Sequence, residues 1–128
     1  MTGKDTRTAF LISETIHQLD FPHRGGTPGV LHLRQHPREG LSVIVSIENG
    51  QLTCSFMNCR VMVRFDDRPP IKFGATKPAD HSSKAFFLDP EKKFLKEIKN
   101  SSRMVIELTF FNQGTHAFEF NTTGLEWS

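Results

Sequence analysis

The feature that most constrains this chain is a strict period-two alternation of apolar and polar side chains, clearest from Arg103 to Phe111. Met104, Ile106, Leu108 and Phe110 fall on one face, and Arg103, Glu107 and Thr109 on the other. That is the pattern of a strand with one side in a core and the other in water. Asn112-Gln113-Gly114 reads as a tight turn, with glycine supplying a positive φ. The return strand sets His116, Phe118 and Phe120 on one side. The same alternation recurs in Leu41–Ile47, Val61–Phe65 and Ile71–Ala75, and around Leu31 and Leu33. Thr8–Ser13, Gln51–Thr53 and Lys84–Leu88 read as further strands. Turn signals separate these segments: Arg24-Gly25-Gly26, Pro37 to Gly40, Asn49-Gly50, Asp67 to Pro70 and Pro78 to Ser83. The spacing predicts an all-β, antiparallel β-sandwich of about seven to nine strands, with a small barrel as the neighbouring solution.

One segment leaves that period. Asp89-Pro90-Glu91 reads as an N-cap, a proline in the first helical position and an acid in the first turn. Phe94, Leu95 and Ile98 share a helical face, with Lys92, Lys93, Lys96 and Lys99 elsewhere, and Asn100 can end the helix. One short amphipathic helix around 90–99 is therefore expected to cover an end or edge of the sheet. The 128 residues suit one domain, 1–128. Twelve phenylalanines and no tyrosine point to a core rich in area and free of hydroxyls to satisfy.

Charge narrows the function classes. Sixteen Lys+Arg against 14 Asp+Glu leave a net charge of +2, which excludes a strongly basic nucleic-acid arm and an acidic tail. No stretch approaches the ~20 apolar residues of a transmembrane helix, and the opening residues carry no apolar signal-peptide core. The densest basic stretch, Lys92, Lys93, Lys96 and Lys99 with Arg103, is a candidate interaction surface for an acidic protein or phosphate. Its plainer reading is the solvated face of a helix. No run interleaves exposed aromatics with basic residues as single-strand binders do, so the expected partner is a protein and not a nucleic acid.

Other constellations read more simply as structure. Asp66-Asp67 cannot share a cation while both lie in a strand, because neighbours point to opposite faces. Asp67-Arg68-Pro69 reads as a turn, and Arg64 with Asp66 as an ion pair on one face. Asp80-His81-Ser82 contains the residue types of a hydrolase triad, but triads are assembled by geometry and these are ordinary loop formers. His32 and His36 lie ~13 Å apart on a strand, too far for one ion, and His17 and His23 add no ligand spacing. No metal, cofactor or catalytic residue is expected. Cys54 and Cys59, the only cysteines, would face each other across a four-residue connection if Gln51–Thr53 and Arg60–Phe65 form a hairpin. Facing positions can reach disulfide range. Two reduced thiols remain the alternative.

Several segments together resemble a known family. They are Gly50-Gln51-Leu52-Thr53-Cys54, Cys59-Arg60-Val61-Met62-Val63-Arg64-Phe65-Asp66-Asp67, Lys72-Phe73, Pro78-Ala79-Asp80-His81-Ser82 and Phe94-Leu95. Glu107-Leu108-Thr109-Phe110-Phe111-Asn112-Gln113-Gly114, Phe118-Glu119-Phe120 and Gly124-Leu125 continue the series, with Met1-Thr2-Gly3-Lys4 and Phe21-Pro22 at the start. The text resembles small bacterial envelope lipoproteins and phage-borne proteins without assigned activity. More distantly it is similar to the β-sandwich accessory lipoproteins associated with type VI secretion. The resemblance spans nearly the whole chain in the same order and implies a β-sandwich, a Cys54–Cys59 bridge and an exported location. Such proteins carry a signal or lipobox before their Met-Thr-Gly-Lys segment, whereas this sequence begins at that Met. A periplasmic or cell-envelope location is expected if an export segment has been removed, and a cytoplasmic one otherwise.

The expected function is a non-catalytic protein-interaction or accessory module, envelope-associated or phage-borne. The alternatives are a cytoplasmic phage-encoded inhibitor of a host defence or nucleic-acid-processing complex, and a small hydrolase built on Asp80, His81 or Ser82.

Overall fold

The computed structural model describes residues 7–18, 26–53, 59–78, 82–112, 114–123 and 125. Among these described residues, eight strands and one helix run in the order β1 (Arg7–Gln18), β2 (Gly26–His36), β3 (Gly40–Ile47), β4 (Arg60–Phe65), β5 (Ile71–Thr76), β6 (Ala85–Asp89), α1 (Glu91–Lys99), β7 (Arg103–Phe110) and β8 (Gly114–Asn121). All pairings are antiparallel, and the strands lie in one sheet in the order β1-β2-β3-β6-β5-β4-β7-β8. The all-β fold with a short helix is thus as expected. The expected two layers are the opposing walls of a single sheet that curls until β1 approaches β8. Side chains stitch that seam: the Glu119 amide donates to Thr15 Oγ1 at 3.2 Å, and Arg103 reaches Glu14 and Glu119 at 3.4 and 3.1 Å.

Alternation puts the apolar set inside. Leu31 and Leu33, Val43 and Val45, Val61 and Val63, and Met104 through Phe110 at every second position are all buried. Phenylalanine fills the interior: Phe73, Phe94, Phe118 and Phe120 are fully excluded from water. Gly29 explains itself in this setting. A Cβ there would stand 3.1 Å from the Phe118 ring and 3.3 Å from Phe120, so the absence of a side chain on β2 makes room for the aromatics of β8.

Both ends of the curled sheet are closed. At one end α1 passes from β6 to β7 and inserts Phe94 and Ile98. Phe94 packs edge-on against Phe65 and Phe73, with centroids 5.6 and 5.1 Å apart. At the other end Gln51–Thr53 spans the gap between β7 and the approach to β6. The Thr53 and Phe111 amides bond to Thr109 and Gln51 carbonyls at 2.9 and 2.8 Å, and the Leu52 amide bonds to the Ser83 carbonyl at 2.6 Å. Leu52 is buried as the plug.

Two local expectations change. The N-cap is Pro90 and not Asp89, with no side-chain cap, so the helix starts at Glu91; Asn100 does end it, donating its side-chain amide to the Lys96 carbonyl at 3.0 Å. Gln51–Thr53 makes only an isolated bridge, Leu52 to Phe110, and forms no hairpin with β4. Both segments run antiparallel to β7, and therefore in the same direction as each other. The turn after β7 does use positive φ, at Asn112 (60°) and Gly114 (79°).

Candidate interaction surfaces

Two of the depressions among the described residues lie on the outside of the curled sheet and its helix. The first is on α1, where Lys92, Lys96 and Lys99 are spaced i, i+4 and i+7 and so form one stripe. They surround the half-buried Leu95, and with Asn100 they line a shallow hollow of about 360 Å³. None of the three ammonium groups has an ion pair among the described residues. Lys93, the fourth residue of the expected basic surface, is exposed but does not line the hollow. It sits toward Glu97, which is taken by Arg68 at 2.6 Å. Lys96 and Lys99 also face the helix carbonyl end, where positive charge is favoured by the macrodipole.

The second is a groove of about 670 Å³ over the outward faces of β4, β7 and β8. Met62, Val105, Ala117, Pro70 and Thr15 line it together with the charged Arg64, Glu107 and Glu119. Glu119 is paired with Arg103, while Arg64 and Glu107 have no ion pair among the described residues.

The expected Arg64–Asp66 pair is not formed. β4 ends at Phe65 and the backbone turns at Asp66 with φ 54°, so the period-two argument stops one residue early. Asp66 instead accepts the Ser102 and Arg103 amides at 2.9 and 3.0 Å, and Arg68 approaches it at 3.9 Å. That carboxylate ties the β4–β5 turn to the start of β7. The turn reading of Asp67-Arg68-Pro69 fits this geometry.

The remaining candidates are dispersed. His36 Nδ1 accepts the Arg38 and Glu39 amides at 3.1 Å each and so organises the β2–β3 turn. His32 stacks on Phe10, with ring centroids 4.3 Å apart and planes 17° apart. Partial burial and, secondarily, the Arg34 charge lower its pKa from 6.5. Among the described residues no three His, Cys, Asp or Glu side chains are gathered as for a metal ion. Asp80, His81, His23 and Cys54 lie outside the described residues, as does the side chain of His17. Ser82 Oγ accepts the Lys84 amide at 3.1 Å, a loop role. Cys59 is half-buried against the core, and its carbonyl accepts the Ala75 amide at 3.0 Å.

Sequence reasoning missed Thr27. This fully buried residue accepts the Glu48 and Asn49 amides on Oγ1 at 3.2 Å each. A threonine between Gly26 and Pro28 carries no signal of that use. No helix is long and apolar enough to cross a membrane among the described residues.

Compared with protein-family models, with curated proteins and with solved structures, the chain matches none. The lipoprotein and phage-borne resemblance therefore rests on its quoted segments alone.

Proposed function

We propose that the chain is a non-catalytic protein-interaction module, envelope-associated or phage-borne as its motifs suggest, which docks an acidic partner on the outer face of α1. The observation that carries this reading is the hollow around Leu95, ringed by three lysines without ion pairs among the described residues. An uncompensated positive rim steers an acidic surface and adds little cost when it is covered. The apolar centre gives a leucine-sized contact that free lysines on a solvated helix lack. The helix is also held rigidly by Phe94 and Ile98 beneath it, so docking orders no backbone.

The test is fluorescence anisotropy with Asp/Glu-rich peptides that carry one aliphatic side chain. Binding is expected to weaken as salt rises. A Lys92→Glu/Lys96→Glu/Lys99→Glu variant should lose it at least tenfold while its circular dichroism spectrum shows it still folded. Wild-type protein that ignores every such peptide would overturn the reading. The Cys54–Cys59 bridge belongs to the same proposal. Thiol titration of the unfolded, unreduced protein should find no free thiol, and two would exclude the bridge in that preparation.

A further inference from the structure

The lysine stripe of α1 has a definite pitch. Lys92, Lys96 and Lys99 stand at i, i+4 and i+7 of one helix. At ~100° and ~1.5 Å per residue they fall within an arc of ~60° and follow the axis for ~10.5 Å, in steps of ~6 and ~4.5 Å. Leu95, one residue before Lys96, flanks the same line, and all four side chains line one hollow with Asn100. The three lysines are exposed, and none has an ion pair among the described residues. The helix beneath them is fixed, because Phe94 and Ile98 on its opposite side are fully buried.

Resting on the acidic-docking reading of this surface, we propose that its occupant is an acidic amphipathic helix of a partner protein, laid antiparallel along α1. A lone phosphate calls for donors converging on a polar centre, whereas here a leucine occupies the middle. An extended segment presents side chains to one side every ~6.7 Å, so three acids cover ~13 Å and overrun the stripe. A helix repeats the lysine pitch. Acids at i, i+3 and i+7 step by ~4.5 and ~6 Å, which is the stripe read from Lys99 back to Lys92. The first acid then meets Lys99, the second Lys96 and the third Lys92, and an aliphatic residue at i+4 comes to Leu95. This direction opposes the two macrodipoles and lets the partner carry its acids toward its own N-terminus, where negative charge is favoured. Two turns of contact around one apolar centre make a small interface, of the size of weak, transient encounters.

Two isomeric alanine-based peptides of ~20 residues, long enough to hold a helix, test this by fluorescence anisotropy at low salt. One carries Glu at i, i+3 and i+7 with Leu at i+4. The other has the same composition with its three acids at every second position. The first should bind at least tenfold more tightly, and Lys92→Glu/Lys96→Glu/Lys99→Glu should abolish that preference. Should the variant misfold, an amide chemical-shift titration of the unaltered protein with the first peptide serves instead, with changes expected at Lys92, Leu95, Lys96 and Lys99. Equal affinities, or a preference for the alternating isomer, overturn the helical occupant and leave acidic docking standing. Binding of neither peptide overturns both. A folded lysine variant that keeps the preference, or shifts confined to the groove beside Arg64, also overturns the proposal. So does displacement of the first peptide by an equimolar single-stranded oligonucleotide, which would assign the stripe to nucleic acid.

Discussion

At the scale of single residues, buried polar side chains are the sensitive points. Thr27 satisfies two amides at the end of β3 from inside the core. Thr27→Val keeps the shape and leaves both donors without a partner, so a loss of about 1–3 kcal/mol in urea unfolding is expected. Gly29→Val should cost a similar ~1–3 kcal/mol by overpacking against Phe118 and Phe120. His32 gives the fold a pH dependence. Its folded pKa lies below the unfolded 6.5, through burial first and Arg34 second. In that window the unfolded chain binds the proton more readily, so the stability contribution is full above 6.5 and is lost as pH falls through the lowered folded value. The charged group near this ring is Arg34 on its own strand, while β1 and β3 present Phe10 and Ile44. Acid unfolding followed from neutrality downward should therefore be less steep in His32→Gln.

At the scale of elements, α1 separates packing from surface chemistry. Phe94→Ala should cost about 3–5 kcal/mol, since it empties the space between Phe65 and Phe73. Lys96→Glu at the exposed rim should stay within about 0.5 kcal/mol in the same thermal unfolding assay. The helix was legible because its period differs from everything around it. Its cap was misplaced by one residue, because Pro90 occupies the position that Asp89 would have filled. β7 and β8 were legible because alternation is unbroken there. β2 was only glimpsed at Leu31 and Leu33, since Gly26, Pro28 and Gly29 erase the pattern where Phe118 and Phe120 need room. The Lys92, Lys96 and Lys99 stripe could be read from spacing alone. The groove beside Arg64 could not, because it unites β4, β7, β8 and Thr15 of β1 from distant parts of the chain.

For the whole molecule, alternation specified inside and outside but left the closure of the sheet open, and with it the choice between two layers and one curled sheet. That choice depends on which strands become neighbours. The neighbour order holds three locally wound pieces, β1-β2-β3, β6-β5-β4 and β7-β8. The central piece is laid down backwards, so β3 must find β6 and β4 must find β7 across long stretches of chain. Each piece can zip through its own turns, but nothing local tells it where to dock. Loop-closure entropy is spent before those two junctions return any stabilisation. Stopped-flow refolding should therefore take milliseconds to seconds, as in other proteins dominated by non-local pairing. Nascent chain emerging as far as β5 still lacks the strand that lies between β3 and β5, and it must wait for synthesis to supply β6 before the first junction can seal.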